Sequence, residues 1–425
     1  MKKRSRIIKS VLTLALALTT VTALAQQKEL SIEECYRLAR NNYPLLKQMG
    51  IIEKTKNISL DNASKGNLPQ INVTGQATYQ SDVTELPVNI PNSNISPLSK
   101  DQYKIYTEIT QPITDLYTVR QQKELIKANA ITETQSLESE LYKLKDRINQ
   151  LYFGILVIDA QIDLTSTMKK DIQTGIDNAN AAIKNGVALK SSADVLKAEL
   201  LKTEQRTIEL RSARQGYTDV LGLFINQTLD ANTKLQTPVS QTMSTNINRP
   251  ELKLYDAQKK NTGIQDKLIT ARNIPKFNLF VQGGYGKPAL DFLKNDFTFY
   301  YIGGIRLNWN ISGLYTIKKE REQVRINQSQ FDIQRETFLF NTRLSLAQQN
   351  TEIRKYKELI DTDNEIILLR EHVKSTANSQ LENGVITAND FLSYVNAEDQ
   401  ARQNRALHQY QLLMSQYNYQ TTSGN

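Results

Sequence analysis

Few side chains in these 425 residues are placed to do covalent chemistry. The two histidines, His372 and His408, stand far apart on segments with helical periodicity, and neither has the spacing to a second histidine that a metal pair needs. Gly283-Gly284-Tyr285-Gly286 resembles the opening of a phosphate cradle, but the lysine and serine of a P-loop are missing from the required places. The single cysteine, Cys35, makes neither an intramolecular disulfide nor a cysteine-rich metal site, and inside the amphipathic stretch 31–46 it reads as a small core hydrophobe. Carboxylates are abundant, yet they are spread along helix faces, the usual pattern of solvated charge. The sequence thus assigns no catalytic residue, no cofactor and no metal, and the chain is not read as an enzyme.

The elements that organise the chain are two long helices. Leu137, Leu141, Leu144, Ile148, Leu151, Ile155, Ile158 and Ile162 alternate steps of four and three, the seam of a left-handed supercoil, within a stretch from about Asp115 to Asn185 that no proline interrupts. A helix that long, on the order of 100 Å, must pack along other long helices. A second stretch begins near Gly313 and keeps a seven-residue row at Leu339, Leu346, Ile353, Ile360 and Ile367. Its alternate row has turned polar at Thr342, Gln349 and Asp363, which predicts a narrower seam and a wetter flank.

Residues 1–25 read as an export signal: Lys2, Lys3, Arg4, Arg6 and Lys9, then an apolar run from Val11 to Leu24, then the small-x-small site Ala23-Leu24-Ala25. No cysteine follows that site, which argues against a lipid anchor there. Without the signal the net charge falls from +9 to +4, with 48 basic against 44 acidic residues, so nucleic-acid binding loses its main support.

The remainder repeats itself. Asn42-Tyr43-Pro44 and Asn67-Leu68-Pro69 recur at an offset of 206 as Asn248-Arg249-Pro250 and Asn273-Ile274-Pro275, and Asn185-Gly186-Val187 recurs at an offset of 198 as Asn383-Gly384-Val385. This predicts two copies of one unit, 26–235 and 236–425, each made of a shorter helix, a strand pair, a long helix and another shorter helix. After Pro69 and Pro275 the period changes to two. Ile71, Val73, Gly75, Ala77 and Tyr79 alternate with Asn72, Thr74, Gln76, Thr78 and Gln80, and Phe277, Leu279, Val281 and Tyr285 alternate with Asn278 and Gln282. Return strands follow around Tyr103 to Ile109 and Phe297 to Trp309. Taken alone, such hairpins also suit a soluble core. Strands of about 10 to 14 residues with aromatic ends instead match the crossing of a bilayer. The interface aromatics predicted are Tyr79, Tyr103, Tyr285, Phe297, Tyr301 and Trp309. Four strands do not close a barrel, and lipid tolerates no open edge, so closure requires several chains.

In this order of parts the chain resembles the TolC family of outer-membrane efflux proteins over nearly its whole length after residue 25. The residues that carry the likeness are Ser31-Ile32-Glu33-Glu34 with Ala39, Asn42 and Pro44, the two Asn-x-Pro strand entries, and the stretches Gly186 to Leu196 and Gly384 to Leu392. The resemblance implies a mainly α fold with a transmembrane β part: a long α-helical barrel plus four β-strands per chain, a homotrimer closing a twelve-stranded β-barrel in the outer membrane and extending into the periplasm. It also implies an exit duct for small molecules in a tripartite efflux pump. The partners would be a periplasmic adaptor of the membrane fusion protein type and, through it, an inner-membrane transporter of RND, ABC or MFS type. The alternatives are a type I protein secretion duct and, from a different class, a periplasmic adaptor or binding coiled coil. The family docks its adaptor on the hairpin tips, which here are Gly186, Val187, Ala188 and Leu189, and Gly384, Val385 and Ile386. Asp390 matches one of the two aspartates that ring the periplasmic aperture, while Ser393 replaces the second, and Leu381 and Ile386 replace a tyrosine and an arginine that hold the entrance shut. Thr387, Asn389 and Asp390 are equally placed to cap the returning helix.

Overall fold

The computed structural model describes residues 29–84, 98–186 and 188–425. The export signal, most of the loop expected at 84–100 and Val187 of the first tip lie outside the described residues. In chain order the elements are α1 (Ile32–Asn42), α2 (Lys47–Lys65), β1 (Gln70–Tyr79), β2 (Asp101–Pro112), α3 (Asp115–Tyr142), α4 (Leu144–Lys184), α5 (Lys190–Ile225), α6 (Pro250–Asn273), β3 (Lys276–Lys287), β4 (Thr298–Asn308), α7 (Leu314–Glu382) and α8 (Ala388–Ser423). They fall into two compact units, each drawing segments from both halves of the chain.

The first unit holds the described residues up to Leu46, with Glu140–Arg249 and Leu339–Asn425. Its centre is α4, packed between α5 and α8, because the apolar seam read from the heptads is wide enough to serve two neighbours. Ile148, Tyr152, Phe153 and Ile155 are fully buried against Cys35 and Ala39 of α1, Leu221 and Ile225 of α5, and Tyr417 of α8. Ser31 caps α1 by accepting from the Glu34 amide. The Tyr152 hydroxyl sits 2.7 Å from the carbonyl oxygens of both Leu30 and Gln236 and so satisfies its polar end inside the core.

Two expectations need correction here. The first long helix is not continuous: Lys143 separates α3 from α4, and its amide bonds to the Glu140 carbonyl three residues back, a tighter turn than the α-helix allows. The polar row of α7 is not a wet flank. Thr342 and Asp363 are buried, Gln349 donates to the Thr422 hydroxyl (2.9 Å), and Asp363 meets His408 of α8 at 2.6 Å. At Gln349 and Asp363 a polar side chain fills the seam because α8 supplies its partner.

The second unit comprises Lys47–Ser139 and Pro250–Phe338. Helices α2 and α6 stop just before Asn67-Leu68-Pro69 and at Asn273, where proline forbids a further helical turn, and the strands start directly afterwards. The four strands form one antiparallel sheet in the order β1-β2-β3-β4. Its centre is the β2–β3 pairing, which joins the two hairpins in the register Tyr103↔Lys287 to Pro112↔Asn278.

Candidate pore wall and helix-hairpin tips

The sheet of the second unit turns its apolar face outward. Val73, Ile105, Val281, Phe299, Tyr301 and Ile305 stand on that face, with Val73 69% and Phe299 86% exposed. A water-soluble sheet does the opposite and packs such a face on a core. The other face is polar throughout in β1 but mixed beyond it: Tyr106, Phe280, Tyr300 and Ile302 stand among Glu108, Gln282 and Arg306. Arg306 donates two hydrogen bonds to Glu108 (2.8 and 3.0 Å) while its guanidinium lies 4.3 Å from the centre of the Phe280 ring. Gly284 makes room for the two tyrosines; a Cβ there would stand 2.6 Å from the Tyr106 Cβ and 2.8 Å from the Tyr300 ring. Among the described residues β1 and β4 are each paired on one side only, so the sheet has two open edges.

The aromatic residues gather at the ends of the strands. Far from the helices, Phe297 lies 6.2 Å from Tyr103 and 5.6 Å from Tyr285, which lies 4.6 Å from Phe299. Tyr79 closes β1 at the same end. Tyr301 sits further along, opposite Gly283. At the helical end the Trp309 indole donates to the Asn273 carbonyl (3.0 Å). The twelve residues of β3 span about 35 Å, enough to cross a hydrocarbon layer at the tilt of a barrel strand.

The tips belong to the first unit. Gly186 and Gly384 both have positive φ, +76° and +70°, a conformation that a side chain makes costly and that ends α4 and α7 within one turn. Leu189 is 75% and Val385 69% exposed, but the expected apolar tip residues are not uniformly presented: Ala188 is half-buried and Ile386 packs onto the cluster behind the tip. Asp390 forms a capping box. Its carboxylate accepts from the Thr387 amide (3.0 Å) and hydroxyl (2.6 Å), the Thr387 hydroxyl accepts from the Asp390 amide (3.2 Å), and these bonds hold the Asp390 carboxyl below its usual range. The first tip has no such device; Leu189 begins α5 without a side-chain cap.

Behind the tips lies a group of residues that heptads and motifs did not reveal. Met168, Ile172 and Ile176 of α4, Leu196 of α5, Ala377 and Leu381 of α7, and Phe391 and Val395 of α8 form a closed apolar cluster. Gly175 admits the Phe391 ring; a Cβ there would be 2.7 Å from it. Next to it Glu398, 2% exposed, binds Lys374 (2.5 Å) and Arg402 (2.7 Å). Lys374 also binds Asp171 (2.9 Å), and Arg402 also binds Glu371. Burial alone would raise the Glu398 carboxyl, but the two cations outweigh it and hold it low. The only sequence signal of this clamp is the four-residue spacing of Glu398 and Arg402, common on any helix surface. A charged cavity of about 1410 Å³ opens beside it, where Asp159 is held by Arg214 at 2.5 Å.

Among the described residues no group of three or more His, Cys, Asp or Glu is arranged to hold a metal ion, and no helix is long and apolar enough to cross a membrane.

Residues 35–218 match the family model described as outer membrane efflux protein. No curated protein matches the chain. The fold is shared with solved channel structures across almost the whole chain. CusC, whose structures address folding and transmembrane channel formation, is 12% identical with a TM-score of 0.67, covering 92% of this chain and 91% of its own. The outer membrane protein VceC of Vibrio cholerae is 12% identical with a TM-score of 0.65 over 93% of this chain and 96% of its own. The open state of the MtrE outer membrane channel of Neisseria gonorrhoeae is 12% identical with a TM-score of 0.65 over 93% and 89%.

Proposed function

We propose that this chain, which matches the outer membrane efflux protein family over residues 35–218 and shares the fold of solved outer-membrane channels, is the passive exit duct of a tripartite pump that expels small molecules. On this reading the protein is an outer-membrane efflux channel that extends into the periplasm, as the family match and the shared channel fold support, rather than an enzyme. The observation that carries the proposal is the reversed sheet, with apolar side chains exposed on one face, polar and charged groups mixed with Tyr106, Phe280, Tyr300 and Ile302 on the other, and, among the described residues, two open edges. Three such sheets meeting edge to edge would satisfy every edge and close twelve strands around water, within the usual size of a membrane barrel.

The helices support the same assembly. Within each unit apolar residues at seven-residue spacing are left exposed: Ile51 and Ile58 of α2, Leu201 and Ile208 of α5, Ile326 and Ile333 of α7. A second and a third copy of the chain are the natural cover for such rows. Leu189 and Val385 at the tips are the contacts offered to a periplasmic adaptor, which would link the duct to an energy-using transporter in the inner membrane. Asp390 spends both of its roles on the capping box, so its part in the aperture is to fix the shape of the second tip as well as to place charge there.

The test is conductance. Purified protein in planar lipid bilayers is expected to give stepwise conductance that changes when Glu108 and Arg306 on the inner face are replaced together by alanine. Folded, membrane-inserted protein that conducts nothing under any voltage or pH would overturn the duct. A deletion strain that becomes drug-sensitive while secreting its proteins normally separates small-molecule efflux from protein secretion.

A further inference from the structure

We propose that the turn between β3 and β4, residues 288–296, is a foot by which the channel holds the outer leaflet of its membrane; this rests on the outer-membrane reading above. The turn is built. Asp291 closes it by accepting from the Leu293 amide on its side chain (3.0 Å) and from the Lys294 amide on its carbonyl (3.3 Å). Asn295 ties it to the start of β2, accepting from the Ser99 amide (3.0 Å) and donating to the Ser99 hydroxyl (3.0 Å). What the closed turn presents is apolar: Leu290, Phe292 and Leu293 are 56%, 60% and 45% exposed.

A turn that only faced water would have no use for three large hydrophobic side chains among four consecutive residues. Its neighbours identify the occupant. The turn leaves β3 at Lys287 and returns at Phe297, the ring that contacts Tyr103 and Tyr285 on the outward apolar face. The patch therefore continues the lipid-facing wall past the strand ends, at the level where aromatic and aliphatic side chains enter the headgroup region. Charge adds nothing, since Lys287 and Lys294 are balanced by Asp291 and Asp296. The hold is thus by apolar insertion, and it is insensitive to salt.

Site-directed spin labelling tests it on the full chain in outer-membrane lipid vesicles. Cys35 is fully buried and its thiol is pushed up to about 12, so a nitroxide reagent labels only an added cysteine. Phe292→Cys is compared with Phe299→Cys on the lipid face and Leu189→Cys at the tip. The expected result is an oxygen-to-nickel accessibility ratio at position 292 several-fold above that at 189, close to that at 299 and unchanged by high salt. A ratio at 292 equal to that at 189 means a water-facing turn and overturns the proposal. So does a label shielded from both reagents, which means that a neighbouring copy, residues 85–97 or another protein covers the patch. If position 299 also reports water, the membrane reading itself has failed; if 299 reports lipid and 292 does not, only the foot has. Leu290→Cys repeats the measurement should Phe292→Cys not fold.

Discussion

Replacing Glu398 by glutamine is the sharpest probe of the helical unit. The substitution keeps the volume and one acceptor but removes the charge that Lys374 and Arg402 bind at 2.5 and 2.7 Å. Deleting one partner of a buried ion pair costs about 3 to 5 kcal/mol when nothing else serves the other. Here Lys374 keeps Asp171 and Arg402 keeps Glu371, and both cations retain some solvent, so the loss is about 2 to 3 kcal/mol. In a unit of this size that corresponds to a drop of about 5 to 10 °C in the melting temperature, followed by far-UV circular dichroism in detergent at neutral pH. The pH dependence has a definite sign. Because the folded Glu398 carboxyl is held below its ordinary value, its stabilisation is complete above about 4.3 and disappears as pH falls through the lower folded value. The gap between parent and variant should therefore be constant from about pH 8 to 5 and close in stronger acid. A drop of less than about 1 °C at neutral pH, or an equal drop at both ends of the range, refutes the clamp.

Two glycines in neighbouring helices should answer the same substitution with opposite signs. Gly175→Ala drives a methyl toward the Phe391 ring and is expected to lower stability by about 1 to 2 kcal/mol, whereas Gly216→Ala, with nothing within 4 Å, should gain about 0.5 to 1 kcal/mol from helix propensity. Paired thermal melts decide this, and a gain at Gly175 would mean that the ring has room to move. Cys35, buried and with its thiol pushed up to about 12, should react with a maleimide at pH 8 about three orders of magnitude more slowly than a free cysteine until the protein is unfolded. Mass spectrometry of the native protein follows the adduct.

Much of the architecture was legible in the order of the residues because each feature is local. The seam at Ile148, Ile155 and Ile162 sets which face of α4 is apolar, Pro69 and Pro275 end helices wherever they stand, and Gly186 and Gly384 mark the reversals. The Lys143 break was not legible, since no proline or glycine signals it. Nor was the pairing of Gln349 and Asp363, which depends on a hydroxyl or imidazole arriving from another helix. The Glu398 clamp escaped for the same reason: Asp171, Lys374 and Glu398 lie on three helices, and no periodicity along one helix records a neighbour on another.

By itself, then, the amino-acid order determined which stretches are helical and which alternate, though not the breaks at 43–46 and Lys143, and the identity of the alternating side chains in β1 and β3. Only the tertiary structure decided that the apolar side of β2 and β3 is the more open one and that, among the described residues, the two edges are unpaired, because two-residue alternation is symmetric and carries no mark of inside or outside. The same holds for the clamp and the closed β3–β4 turn, whose groups meet only when separate segments pack and water is excluded from between them.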